Sequence, residues 1–235
     1  MVPAAVATLA ALTCLASHPR AAESTLVQRF LTVDSPSLDS YRALRHLEAR
    51  NQTFGVSGWM DAWTESDRSR GFRYEIVAEG GSGYVRRRVL RAALEGEREI
   101  WATHGAERAA LTPDNYAFEE CGSVEPGVVR VALKPKRKDV VLIDGSILVG
   151  ADDGDLLRVE GQLSKTPSFW TRHVNVVRRY ERISGVRVPV ALDSVASVLI
   201  AGRATFHMSY EYETINGERV GNPEPRPAAP ASTSP

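Results

Sequence analysis

The chain has 235 residues, 43% of them hydrophobic, and its 29 lysines and arginines balance its 29 aspartates and glutamates. This length suits one large domain or two small ones. A formal net charge of zero argues against nucleic acid as the main partner, because phosphate recognition needs an excess of positive charge.

The N-terminus differs from the rest because it begins with an uncharged apolar run, MVPAAVATLAALTCLA. The run is too short for a confident membrane span but suits the apolar core of a secretory signal. Small residues at Cys14 and Ala16 fit a cleavage site after Ala16. We therefore predict that residues 1–22 are a signal peptide and that the protein is exported to the periplasm.

Three helices are predicted in the first half. STLVQRFLTV reads as a short helix, and SPSLDSYRALRHLEARNQ as an amphipathic one with Ser35 as N-cap and Pro36 at the first helical position. The apolar residues of this second helix follow at helical spacing: Leu38, Tyr41, Leu44 and Leu47. The third predicted helix, GYVRRRVLRAALEGEREIW, has the apolar stripe Val85, Val89, Leu90, Ala93 and Leu94.

The arginines at the start of this third helix have two interpretations. They form either a solvated face with Arg91 paired to Glu95, or a patch that docks on a partner or an anionic surface. The solvated face is the interpretation that we favour.

Strand periodicity begins at Phe54 and dominates after residue 127. FGVSGWMDAW alternates in steps of two, and LTPDNYAFEECGSVEPG reads as a loop before the long β half. Turn signals at Asp144-Gly145, Asp153-Gly154, Ser184-Gly185 and Asn216-Gly217 separate the later strands. We predict an α+β fold, in which a curved antiparallel sheet forms an incomplete β-barrel with N-terminal and inserted amphipathic helices over its concave face. The Pro-rich segment 221–235 is predicted to be disordered.

Each predicted strand of the β half has one apolar and one polar face. Two or three helices are too few to seal so large an apolar sheet face, so we expect a cavity that suits a lipid-like ligand. The predicted lining residues are Phe54, Val56, Met60, Leu157, Val159, Leu163, Val174, Val176, Val188, Val190, Phe206, Met208, Tyr210 and Tyr212. RATFHMSYEY shows the alternation most clearly, with Phe206, Met208, Tyr210 and Tyr212 on one side.

The opposite face carries histidines and acids that offer an alternative function. His173 and His207, with Glu211 and Glu213, are able to form a metal or enzyme site if the strands bring them together. Polar sheet faces carry the same residue types without any site, and no metal or nucleophile motif is present in the sequence. We therefore predict no catalytic residue, no metal and no cofactor, with a secreted enzyme as the alternative.

The arrangement resembles the LolA-like periplasmic lipoprotein-sorting proteins. The resemblance lies in DLLRVEGQLSKTPSFWTRHVNVVRRYERISGVRVPVALDSVASVLIAGRATFHMSYEYETING, residues 155–217, and in the opening from Leu38 to Trp63. It implies one half-barrel domain over residues 23–220, helices that lid an apolar concave side, and a function in outer-membrane lipoprotein sorting or lipid binding.

The resemblance also implies partners. These are lipid or lipoprotein acyl chains and a membrane-bound donor or acceptor protein, with the carrier itself a monomer. One feature differs: the carriers have an Arg-Pro pair after the first strand, whose Arg latches the lid. In TESDRSRGF neither Arg68 nor Arg70 precedes a proline, so the resemblance assigns this role to neither.

Overall fold

The computed structural model describes residues 25–33, 36–103, 105–166, 171–199 and 202–227. The predicted signal peptide and the predicted N-cap Ser35 lie outside these ranges. Within them, no helix is both long enough and apolar enough to span a membrane.

The described chain forms one antiparallel sheet of eleven strands. The strands are β1 (Ser40–Asn51), β2 (Val56–Asp67), β3 (Gly71–Gly81), β4 (Tyr116–Glu125), β5 (Val128–Pro135), β6 (Ile143–Gly150), β7 (Leu156–Leu163), β8 (Thr171–Ile183), β9 (Val186–Val198), β10 (Gly202–Ile215) and β11 (Glu218–Arg219). Their order is β3-β2-β1-β10-β9-β8-β7-β6-β5-β4, and β11 pairs with β10. Because β3 and β4 stand at opposite edges, the sheet is not closed, and the predicted incomplete barrel of the α+β class is confirmed.

Strand β1 replaces the predicted second helix, so that prediction is wrong. The segment is paired along its length with β2 on one side and β10 on the other. Its apolar residues fit both periods: Tyr41, Leu44 and Leu47 are spaced as in a helix, whereas Tyr41, Ala43, Leu47 and Ala49 share one strand face and are buried. Two long neighbouring strands supply a partner for every backbone group, and this tertiary pairing overrides the local helical pattern.

Two further sequence predictions in the strand regions fail. The predicted loop around Tyr116 is β4, an edge strand that pairs with β5. Asp144-Gly145 lies inside β6, where Gly145 faces Gly161 of β7. By contrast, Ser184-Gly185 and Asn216-Gly217 are two-residue turns in which all four residues have positive φ, the conformation that such hairpins require.

The helices lie at two places in the chain. They are α1 (Thr25–Thr32), α2 (Gly83–Val85), a π-helical segment (Arg86–Leu90), α3 (Arg91–Ala102) and α4 (Gly105–Ala109). The first and third predicted helices are therefore confirmed. Within the third, Val89 and Ala93 are exposed rather than buried, because the wider π turn shifts the phase of the apolar stripe.

The helices divide the core into separate clusters. Leu26, Val27 and Phe30 of α1 pack with β4–β7 around Leu133 and Ile147. The helical segment 83–102 packs with β1–β3 and β10 through Val85, Leu90 and Leu94. A third cluster joins β1, β9 and β10 around Val188 and Tyr212. The helices therefore cover two separate parts of one sheet.

Part of the predicted disordered tail packs against the sheet instead. The described residues 221–227 follow β11, and Arg226 donates to Asp61 from its backbone N at 2.7 Å and from Nη2 at 2.8 Å. Its guanidinium also lies over the ring of Trp59 and donates to Glu48. Asp61 is fully buried, and the hydrogen bonds from Arg226 and His46 outweigh the effect of burial and lower its pKa. A buried carboxylate needs such partners, which explains why this segment is held.

We predict opposite effects from alanine at two glycines. A Cβ on Gly145 would lie 2.1 Å from the carbonyl oxygen of Glu160, whereas a Cβ on Gly96 in α3 meets nothing within 4 Å. Gly145→Ala should lower the free energy of unfolding by about 2 kcal/mol through strain, and Gly96→Ala should raise it by about 1 kcal/mol. Urea unfolding checks both, and a neutral Gly145→Ala would contradict the close approach of β6 and β7.

Candidate functional site

One row of side chains crosses the sheet and defines its concave inner face. Residues that are paired directly across neighbouring strands point to the same side. From β2 to β5 the row is Met60, Leu47, Met208, Leu192, Arg178, Val159, Ile147 and Val131. All of them except Leu192 and Arg178 are buried. Along this row the side chains are therefore buried over β2, β1 and β10 on one side and over β7, β6 and β5 on the other. Between them, over β8 and β9, the row is open.

This open strip lies between the two groups of helices. The closest helix contacts with the sheet are those of α1 with β4, and of the helical segment 83–102 with β1, β2 and β3. Most of the side chains that face this strip from β8 to β10 are half-buried or exposed, whereas Val176 is buried. We call this strip the inner groove, and it is lined by Val174, Val176, Arg178, Tyr180, Leu192, Phe206 and Tyr210.

The predicted lining residues fall into three groups. Buried are Met60, Val159, Val188, Met208 and Tyr212, which belong to the packed clusters, and Val176, which does not. Half-buried are Val56, Leu163, Val174, Val190, Phe206 and Tyr210. Phe54 and Leu157 are exposed, at 61% and 38%. The structure therefore brings Val174, Val176, Phe206 and Tyr210 to the inner groove and places most of the others in its packed walls.

The placements of Phe54 and Leu157 correct the predicted apolar face. Phe54 lies in the β1–β2 turn, outside β2. In β7 the pairing with β6 shifts beside Leu156, so Leu156 takes the buried position and Leu157 points outward. A bulge of this kind reverses the alternation for one residue, and strict period-two reasoning misassigns it.

Arg45 is the largest polar group inside the inner face, and the sequence analysis missed it. Its side chain is 1% exposed. It donates to both carboxylate oxygens of Glu97 on α3, at 2.5 and 2.9 Å, and to the hydroxyl of Tyr41 at 2.6 Å. Its guanidinium lies 4.6 Å from the ring centre of Tyr210 and 5.0 Å from that of Phe72. The pair links β1 to the helix above it.

Each partner keeps the other charged. Burial opposes the charge of Arg45, but Tyr210, Glu97 and Tyr41 outweigh it and raise the pKa of the guanidinium further. Burial likewise opposes the charge of Glu97, but Arg45 outweighs it and lowers the pKa of that carboxyl. Bidentate pairing of this type is the strongest that arginine makes with a carboxylate.

Arg178 is the polar group of the inner groove itself, and the sequence analysis also missed it. It lies among Tyr180, Tyr210 and Glu97, which outweigh the effect of burial and raise the pKa of its guanidinium. It also partly offsets the rise that burial causes in the pKa of Tyr116, which lies in the cluster around α1. Since its neighbours belong to both helical clusters while its own side chain is exposed, the space between the clusters is open to solvent. A single signal was available: Arg178 has the parity of Val174, Val176 and Tyr180.

The outer, polar face has a different arrangement from the predicted histidine site. His207 contacts Asp193 at 2.6 Å, whereas Glu211 contacts His46 at 3.1 Å. His173 pairs with Ser197, near the end of β9 and away from both. A cleft of about 360 Å³ lies here, lined by His46, Glu48, His207, Ser209, Glu211, Glu224 and Arg226. Within the described ranges, no group of three His, Cys, Asp or Glu residues is placed to hold a metal ion.

Two solved structures are similar to this chain, whereas no family model and no curated protein matches it. A DUF1329 family protein from Desulfovibrio piger shares 12% identity, with 79% of this chain and 88% of that chain covered and a TM-score of 0.39. A LolA superfamily protein from Nitrosomonas europaea shares 9% identity, with 79% and 90% covered and a TM-score of 0.35. The second of these proteins belongs to the LolA superfamily, the group that the sequence resembles.

We predict that Glu97→Gln changes the acid sensitivity of the protein. The folded pKa of Glu97 is lowered, so its contribution to stability is complete above the ordinary glutamate pKa near 4.5 and is lost as the pH falls through the lower folded value. At pH 7 the variant should lose about 1–3 kcal/mol of unfolding free energy.

Below the ordinary glutamate pKa this difference should shrink. Urea unfolding at several pH values measures it, and Glu99→Gln is the control, since Glu99 is an exposed acid of the same helix. A pH-independent difference between Glu97→Gln and the unchanged protein would contradict a charged Arg45–Glu97 pair.

Proposed function

We propose that the protein is an exported, non-catalytic carrier that binds the acyl chain of a lipid in the inner groove. The observation that supports this is the row across the sheet, which is buried on both sides and open at Leu192 and Arg178. An apolar surface left open between packed clusters is a ligand site in many proteins.

The chemistry of the inner groove suits a chain with an anionic end. Val174, Leu192 and Phe206 offer apolar surface along the strands. Arg178 offers a permanently charged donor at the floor, and an arginine there binds a carboxylate or phosphate through two hydrogen bonds. Burial raises the pKa of the Tyr210 hydroxyl, which therefore remains a neutral donor. We infer a fatty acid or the acyl end of an anionic lipid as the ligand class.

The proposed carrier is exported and transfers acyl chains. The predicted signal peptide over residues 1–22 places the carrier in the periplasm. There it would take acyl chains, including those of lipoproteins, from a membrane-bound donor and pass them to an acceptor. The carrier acts as a monomer, because the inner groove is formed within one chain.

We predict that a charge in the inner groove abolishes lipid binding while the same charge on the other face does not. Leu192 faces the inner groove, and Val195, on the same strand, pairs with Asn175 and Thr205 of the polar face. Leu192→Asp should weaken binding of a fluorescent fatty acid at least about tenfold, because the new carboxylate lies directly across from Arg178 and competes with the anionic end of the fatty acid for its guanidinium. Val195→Asp should bind like the unchanged protein. Fluorescence titration measures both, and equal losses would contradict the groove assignment.

We predict that Arg178 binds the anionic end of the ligand. Arg178→Met keeps an apolar side chain of similar length but removes the charged donor. Since hydrogen bonds to a charged group contribute about 1.5–3 kcal/mol, the variant should bind a fatty acid at least about tenfold more weakly and bind the matching fatty alcohol unchanged. Calorimetric titration with both ligands gives the ratio of their dissociation constants. An unchanged preference for the acid would show that Arg178 does not bind the anionic end.

A further inference from the structure

We propose that one end of the half-barrel docks on an anionic phospholipid bilayer, independently of what the inner groove binds. This docking end is formed by the β1–β2 turn, the start of α2, the β9–β10 connection and the first residues of β8. Backbone contacts bring these parts together: Gln52 donates to Arg203, Ser82 donates to Ser57, and Thr171 pairs with Val198.

The cations of the docking end differ from those elsewhere in the described chain. Arg50, Arg87, Arg88, Arg172 and Arg203 are all exposed and have neither an ion pair nor a side-chain hydrogen bond to a described residue. Every other described arginine has such a partner, as Arg226 has in Asp61 and Arg187 in Asp155. Unsatisfied arginines at a single end of a protein with zero net charge form a local positive field that is available to an external anion.

The same end of the sheet carries the lysines that have no described side-chain partner. Lys136 and Lys138 follow β5, and Lys165 follows β7. Two acids that have no ion pair with a described residue, Glu107 and Asp114, lie near β4 on this side, so the positive field is strongest on the arginine side, around β1 and β10.

Other acids that have no ion pair with a described residue lie at the opposite end. Asp152 lies in the β6–β7 turn, Glu181 near the β8–β9 turn and Glu218 after the β10 turn, and all three are exposed. The separation of charge along the strands would orient the molecule above a negatively charged plane, with the docking end toward it.

Large apolar side chains stand among the arginines. Phe54 is 61% exposed in the β1–β2 turn, Tyr84 is 66% exposed at the start of α2, and Leu199 is 41% exposed after β9. Aromatic and aliphatic tips beside arginines are the combination that binds the interface of an anionic membrane, where the apolar groups enter the headgroup region and the cations meet phosphates. This combination favours a bilayer over a purely acidic protein surface.

The test is sedimentation of the full mature chain with vesicles of equal parts phosphatidylglycerol and phosphatidylcholine. The variant Arg50→Glu, Arg87→Glu and Arg203→Glu should bind at least about tenfold more weakly than the unchanged protein. The charge-matched control, Arg68→Glu, Arg70→Glu and Arg219→Glu at the opposite end, should bind as the unchanged protein does. Circular dichroism and urea unfolding confirm that each variant is folded.

Two further variants test the apolar contribution to docking and its independence from the inner groove. Phe54→Ser with Leu199→Ser should reduce the vesicle binding that persists at high salt, and Leu192→Asp should leave vesicle binding intact even if it abolishes ligand binding in the inner groove. Equal sedimentation of the two charge-reversed variants would overturn the proposal, as would no sedimentation of the unchanged protein. Tighter binding of the unchanged protein to a single-stranded DNA oligomer than to the vesicles would overturn it in favour of nucleic acid.

Discussion

The bidentate pair between Arg45 and Glu97 is the interaction on which the rest of the structure depends. It joins the middle of β1 to α3 and thereby holds the helical segment over one half of the inner face. A fully buried arginine is costly without a partner, so α3 cannot move away from β1 without exposing or isolating a charge. The position of α3 in turn fixes one wall of the inner groove, and α1 fixes the other through its contacts with the β4–β7 cluster.

Charge and apolar surface are each separated in this protein rather than mixed. Inside, the open strip over β8 and β9 combines apolar side chains with Arg178; outside, histidines and arginines are paired with acids such as Asp61 and Asp193. The outer face is stabilised by these ion pairs and hydrogen bonds. The exposed cations that have no partner among the described residues lie at one end of the strands. This distribution is the one that the proposed acyl-chain binding and end-on membrane docking require.

The parts of the fold that depend on interactions between residues close in sequence could be predicted from the sequence. Ser184-Gly185 and Asn216-Gly217 were predictable because two successive positive φ angles require such residues, and β10 was predictable because its alternation has no helical competitor. The strand β1 was not, since its apolar residues fit both periods and only pairing with β10, far along the chain, selects one. Arg45 and Arg178 were missed for a related reason: each interrupts an apolar stripe, and its partners come from distant segments that no local pattern reveals. The shift beside Leu156 likewise depends on pairing.

Native mass spectrometry of the protein purified from the periplasm of an expressing cell shows what the inner groove holds, without the choice of a probe ligand. We expect a population of chains that carry one acyl-chain lipid each, released as an intact lipid on collisional activation. A spectrum that contains only the bare chain, both as purified and after incubation with excess fatty acid, would contradict the claim that the inner groove is a lipid site.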